Sequence, residues 1–144
     1  MTKVDFYVGA SSPFNTVFQI CQKALQRDWR VRIVTSSPAE SRTLDRHLWE
    51  RPQLGFVPHC CLGDPLQSET PVWIGESLTH EGNADVLINL HPEVPPFFAQ
   101  FLRLAEIVSN EETSKQAGRE RYKFYQQRGY PLDVHTLSKQ TRNP

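Results

Sequence analysis

The alternation of strand-like and helix-like segments constrains the fold of this sequence more than any other feature. VDFYVG (4–9) and RVRIVT (30–35) are strand patterns, and each is followed by apolar residues at helical spacing. The further strand patterns are GFVPHC (55–60), PVWIG (71–75), DVLINL (85–90) and AEIVS (105–109). Strands that alternate with helices of about 10 to 15 residues build a mostly parallel sheet with helices on both faces. The sequence therefore predicts a three-layer α/β/α fold with a Rossmann-like arrangement.

Serine and proline mark the start of the first two predicted helices. Ser12 is the expected N-cap of the first helix, with Pro13 at its first position. Ser37 and Glu40 predict a capping box at the start of the second helix, again with proline at the first position. A third helix is predicted over PPFFAQFLRL (95–104), directly before the strand AEIVS.

The last predicted helix, SKQAGRERYKFYQQRGY (114–130), carries three arginines and two lysines and ends at Gly129. At about 100° per residue, Ala117 and Phe124 share one face and are expected to hold the helix onto the domain. The nearly opposite face carries a basic stripe that consists of Lys115, Arg119, Tyr122 and Lys123.

The basic stripe has three interpretations. A charged helix face is often only a solvated face, and cations near a C-terminus favour the helix dipole. Alternatively the stripe binds nucleic-acid phosphates, with tyrosine stacking on bases, or it binds an acidic peptide. A domain that binds nucleic acid through charge has a pI above about 9, whereas this chain balances 16 basic against 16 acidic residues. The balance favours a small acidic partner.

The length of 144 residues predicts one domain, placed at 1–137, with 138–144 as a flexible tail. The N-terminal segment is too polar for a signal peptide, and no apolar stretch approaches the roughly 18 residues of a membrane span. Three cysteines, two of them adjacent, make a poor disulfide framework. They fit a reducing cytoplasm.

Catalytic and metal-binding motifs are not found. The first strand–helix turn has only Gly9, followed by Ala10, Ser11 and Ser12, whereas a phosphate-binding loop needs several glycines. The HCC string at 59–61 lacks the paired ligand spacing of structural zinc. We expect no cofactor, no metal and no catalysis, and a small nucleotide-handling enzyme with a pocket at 9–12 is the alternative.

Aromatic and proline residues cluster in LWERPQLGFVPH (48–59). The members are Trp49, Pro52, Phe56 and Pro58. Either the aromatic rings form a small core under the loop, or they form an exposed patch of the composition that is enriched at protein–protein interfaces.

Two long strings carry a family resemblance. LDRHLWERPQLGFVPH (44–59) and SKQAGRERYKFYQQRGYPL (114–132) resemble the chi subunit of the bacterial DNA polymerase III holoenzyme. The DFYV and DVLINL strands lie where that family has them, so the resemblance spans essentially the whole chain and is weakest in 62–82.

The resemblance implies a non-catalytic adaptor in the clamp-loader assembly. A chi subunit pairs with the psi subunit and binds the acidic, phenylalanine-ending C-terminal tail of single-stranded DNA-binding protein, while any DNA contact is indirect or weak. By motif, the tail-binding residues are Lys115, Arg119, Tyr122 and Lys123, and the psi-facing residues are Trp49, Pro52, Phe56 and Pro58. Gly118 departs from the expected helix former, at a cost of about 1 kcal/mol relative to alanine. It either permits a close approach or loosens the first turn.

Overall fold

Residues 1–50 and 55–137 are described by the structure, a computed structural model, and they contain a seven-stranded sheet. The strands are β1 (Lys3–Ala10), β2 (Val31–Val34), β3 (His59–Cys61), β4 (Val72–Gly75), β5 (Val86–Asn89), β6 (Arg103–Ser109) and β7 (Leu132–Thr136). Their order across the sheet is β3-β4-β2-β5-β6-β1-β7, and all of the pairings are parallel.

Three helices cover the two faces of this sheet: α1 (Pro13–Gln26), α2 (Pro38–Trp49) and α3 (Glu112–Gln127). One buried cluster joins α1 and α2 to the sheet through residues such as Val17, Leu44 and Ile33. The other joins α3 to the opposite face through Tyr125 and its neighbours, including Phe6. Two separate clusters on opposite faces confirm the predicted three-layer α/β fold.

The central strands are buried on both faces. Every residue of β2 and of β5 is buried, and Ile33 of β2 lies in register with Ile74 of β4 and Ile88 of β5. Parallel strands covered on both faces are rich in apolar residues, as in DVLINL, whereas β2 also buries Arg32, whose guanidinium donates to the carbonyls of Ser77 and Thr79.

The predicted start positions of the first two helices are confirmed, but the hydrogen bonds that cap them differ from those expected. Ser12 is the N-cap of α1, but its side chain makes no capping hydrogen bond. At α2, the Glu40 amide donates to Ser37 Oγ over 3.1 Å. The Glu40 carboxylate accepts from the Ser36 amide at 2.7 Å, one residue earlier than a standard capping box requires.

The prediction of an α-helix over 95–104 is wrong. This segment contains only a 3-10 turn, Phe98–Gln100, and β6 already begins at Arg103. The helix was suggested by the spacing of three phenylalanines, Phe97, Phe98 and Phe101. They are buried in the cluster below α3, but the segment that carries them is an irregular connection between β5 and β6. The amides of Leu102 and Arg103 donate to the Asp85 carbonyl. These hydrogen bonds hold the start of β6 beside β5.

Two strands differ from the prediction, and two further predictions fall outside the described residues. The sequence did not predict β7, an edge strand that pairs with β1 from Val4↔Leu132 to Val8↔Thr136. The GFVPHC pattern forms a strand only from His59 onward. Pro52 and the proposed tail 138–144 lie outside the described residues.

Candidate functional site

The sheet-facing side of α3 is more polar than the sequence predicted. Its buried residues are Gly118, Arg121 and Tyr125, whereas Ala117 and Phe124, the expected anchoring pair, are only half-buried. The predicted face is correct only in part. Phe124 packs against the cluster that contains Tyr125, but α3 is rotated about its axis relative to the prediction, so that Tyr122 also becomes half-buried against the sheet.

Glu106 is the reason for this orientation. Its carboxylate is completely buried on β6 and accepts hydrogen bonds from Arg121 Nε at 2.8 Å and Tyr125 Oη at 2.5 Å. Asn89 of β5 donates a third hydrogen bond over 2.9 Å. Burial raises the pKa of the Glu106 carboxyl, and the charge of Arg121 opposes this shift. A buried carboxylate needs such partners, so α3 faces the sheet with the two residues that supply them.

Sequence reasoning missed Glu106, Arg121 and Tyr125. One signal was present, because an acidic residue inside the apolar strand pattern AEIVS must find a buried partner. The guanidinium of Arg121 also donates to the Pro92 carbonyl over 2.8 Å, and its side chain is only 5% exposed.

Gly118 permits a close approach between α3 and β6. A Cβ atom at this position would lie 2.9 Å from Cγ2 of Val108, closer than real Cβ contacts. The structure therefore decides between the two interpretations of this glycine in favour of the close approach. At the other end of α3, Gly129 has φ +78° and the Tyr130 amide donates to the Tyr125 carbonyl, which closes the helix as predicted.

A cavity of about 420 Å³, which we call the α3 groove, lies between α3 and strands β1, β6 and β7. Its apolar surface includes Phe6, Val8, Val108 and Val134. From α3, the groove is lined by Lys115, Gly118, Arg119 and Tyr122. The Tyr122 ring meets Phe6 edge to face with centroids 5.4 Å apart.

The α3 groove thus brings together three members of the basic stripe, Lys115, Arg119 and Tyr122. The fourth, Lys123, is exposed and does not line the groove, because the rotation of α3 turns it toward solvent. Arg119 donates to Gln116 Oε1 over 3.0 Å and lies 3.7 Å from Glu112. This ion pair is exposed and contributes little stability, so the guanidinium remains available to a ligand.

A second surface, the aromatic patch, consists of Trp49, Phe56 and Pro58. The side chains of Trp49 and Phe56 are 57% and 50% exposed, and their ring centroids are 5.1 Å apart. Pro58 is exposed beside them. The exposed alternative for these rings is therefore the one found in the structure, rather than a core under the loop.

His59 lies beneath the aromatic patch. Its ring is buried, with the centroid 5.3 Å from that of Trp49. Nδ1 and the Val57 carbonyl are 2.6 Å apart, which assigns the proton to Nδ1. Nε2 lies 3.1 Å from Asp45 Oδ1 but outside hydrogen-bonding alignment. The histidine therefore supports Trp49 mainly by ring packing.

The described residues contain no group of three His, Cys, Asp or Glu side chains placed to hold a metal ion. No helix in 1–50 or 55–137 is long and apolar enough to cross a bilayer. Cys60 is buried and Cys61 is exposed, and partial burial raises the pKa of both thiols.

Comparison with known proteins gives one consistent family. The model of the family described as DNA polymerase III chi subunit, HolC, matches residues 1–133. A DNA polymerase III subunit chi of Pseudomonas aeruginosa is 35% identical over 95% of this chain and 98% of its own length. Those of Escherichia coli and Haemophilus influenzae are 33% and 31% identical, over 94% and 92% of this chain and 90% and 96% of their own lengths. The chain therefore belongs to the DNA polymerase III chi subunit family and is an accessory subunit of DNA replication.

Proposed function

We propose that this chain is a non-catalytic adaptor of the DNA polymerase III holoenzyme that acts in the cytoplasm. It links the clamp loader, through a psi-type subunit, to the acidic C-terminal tail of single-stranded DNA-binding protein. The observation that carries the proposal is the α3 groove, in which cations lie beside an apolar floor. An acidic peptide that ends in an aromatic residue needs this combination.

The tail fits the groove as follows. Lys115 and Arg119 meet carboxylates of the peptide, and the terminal aromatic ring enters between Tyr122 and the apolar side chains of the sheet. Each charge-assisted hydrogen bond is worth about 1.5–3 kcal/mol. Lys123, which is exposed on the outer side of α3, meets acidic residues that precede the end of the tail.

The aromatic patch is the proposed site of the psi-type subunit. Trp49, Phe56 and Pro58 present large rings to solvent next to one another, and tryptophan is among the residues most enriched at interface hot spots. Pro52, the fourth residue proposed for this interface, lies outside the described residues. A partner would supply the burial that the rings lack in the isolated chain.

Calorimetry with a synthetic acidic peptide that ends in phenylalanine tests the tail site. Replacing Arg119 with alanine removes a charge-assisted contact, so we expect affinity to fall about tenfold or more. The matched control is Arg42→Ala, because Arg42 is an exposed arginine of α2 that does not line the groove. Equal affinity for the wild type and Arg119→Ala would contradict the proposal.

A further inference from the structure

A second cavity, of about 440 Å³, lies on the face of the sheet opposite the α3 groove. We call it the α1 groove, because α1 forms one wall and strands β1, β6 and β7 form the floor. Successive strand residues point to opposite faces. Phe6 accordingly packs with the α3 cluster, while Tyr7 packs with the α1 cluster and lines the α1 groove.

The α1 groove is electropositive. Lys23 and Arg27 of α1 and Arg103 of β6 line it, and Asp5 is the one carboxylate among its described lining residues. That carboxylate is already paired with Lys3, whose Nζ lies 2.8 Å from it, and Nε2 of His135 lies 3.1 Å away. Arg103 Nη1 lies 3.9 Å from the same carboxylate, at the limit of an ion pair. Lys23 and Arg27 are exposed at the rim, where an anion can reach them.

Flat aromatic surfaces accompany these cations. The rings of Tyr7 and His135 are stacked, with centroids 4.8 Å apart and an angle of 18° between the planes. The guanidinium of Arg27 lies 5.0 Å from the centroid of the Trp29 ring. A positive groove that follows the phosphates and aromatic faces that stack on bases are the two features by which proteins bind single-stranded nucleic acid.

We propose that the α1 groove binds a short segment of single-stranded DNA. The phosphates contact Lys23, Arg27 and Arg103, and a base stacks on the Tyr7–His135 pair or on Trp29. The aromatic stacks favour DNA over an acidic peptide, since every base offers a π-face whereas acidic side chains do not. The inference goes beyond the proposed adaptor function and does not depend on tail binding.

Binding of this kind is weak for the isolated chain. The chain has no net charge and the groove offers about three phosphate contacts, so the dissociation constant is expected at about 10⁻⁴ to 10⁻⁶ M. When a second contact also holds the chain next to the same DNA, the effective concentration of the DNA at the α1 groove rises to about the millimolar range. The weak site then becomes occupied.

An NMR titration of the full chain with oligothymidylate tests the inference. At about 50 mM salt, we expect amide shifts to concentrate at the end of α1 and at Trp29, which line the α1 groove and not the α3 groove, rather than at Lys115 or Arg119. Raising the salt to about 200 mM should weaken binding about 10- to 20-fold, because a single strand loses about 0.7 in log affinity per phosphate contact and per tenfold rise in salt.

Lys23→Glu should weaken binding about fivefold or more, which corresponds to about 1 kcal/mol. The matched control is Arg42→Glu, which changes the net charge equally on an exposed residue outside the groove and should bind like the wild type. Absent shifts, shifts confined to the α3 groove, or equal losses in the two variants would overturn the proposal. Larger shifts of the same amides with an acidic peptide would overturn it too.

Discussion

Trp49 ends α2 with more than half of its side chain exposed, and its packing partners are Phe56 and His59. Trp49→Ala should therefore lower the free energy of unfolding by only about 1 kcal/mol or less, since little burial is lost. The same change should weaken binding of a psi-type partner by about 2 kcal/mol or more if Trp49 is an interface hot spot. Urea melts of the isolated variant measure the first quantity.

Leu48 provides the control for this prediction, because it is adjacent to Trp49 and completely buried. Leu48→Ala should cost about 2–5 kcal/mol of folding stability. If Trp49→Ala lowers the urea midpoint as much as Leu48→Ala does, Trp49 is part of the folded core. The aromatic patch would then lose its main anchor.

At Gly118, the structure and intrinsic helix propensity predict opposite effects of an alanine substitution on stability. Helix propensity favours Gly118→Ala by about 1 kcal/mol. A methyl group 2.9 Å from Val108 instead forces α3 away from β6, and such overpacking typically costs about 1–3 kcal/mol. We expect thermal melts to show a destabilised variant. Glu120→Ala, at an exposed position of α3, should change stability by less than about 0.5 kcal/mol, and a stabilised Gly118→Ala would refute the close approach.

At the scale of elements, Glu106 holds α3 in its orientation. Glu106→Gln leaves the charge of Arg121 buried without its carboxylate, and breaking a buried ion pair costs about 3–5 kcal/mol. We expect a large drop in stability, together with faster hydrogen exchange along α3. Glu120→Gln removes a carboxylate from the exposed side of the same helix and should have little effect. Similar behaviour of the two variants would show that the buried network does not hold the helix.

Most elements could be predicted from the sequence because their patterns are local. The buried strands β2 and β5 are rich in valine, isoleucine and leucine, although β2 also contains Arg32, and α1 and α2 begin at serine–proline signals. The segment 95–104 could not be assigned correctly, since phenylalanines at helical spacing are equally compatible with a buried irregular crossover. Strand β7 has mostly exposed residues and gains its hydrogen bonds from β1, a partner far away in the sequence.

The candidate site was predictable only in part, for the same reason. The spacing of Lys115, Arg119 and Tyr122 placed them on one side of a helix. The groove beneath them depends on β7, which supplies Val134, and on the rotation of α3 that Glu106 imposes. Neither the position of β7 nor the orientation of α3 can be recognised from residues 114–130 alone. The sequence therefore predicted the basic side chains of the site but not the apolar groove beside them.

At the scale of the whole molecule, the two interfaces of the proposed adaptor function lie toward opposite edges of the sheet. The α3 groove includes Val134 of the edge strand β7, and the aromatic patch lies next to β3, the other edge strand. Strands lie about 4.8 Å apart, so six spacings separate these edges by about 30 Å. Two partners can therefore bind at the same time, as the adaptor function requires.

Binding to intact single-stranded DNA-binding protein tests the central claim most directly. The chain should be immobilised and exposed to the intact protein and to a version that lacks its last few residues, in the absence of DNA. We predict binding of the intact protein that weakens as salt is raised, because the contacting charges are partly exposed, and loss of binding on truncation. Equal binding of the intact and truncated proteins would contradict the account.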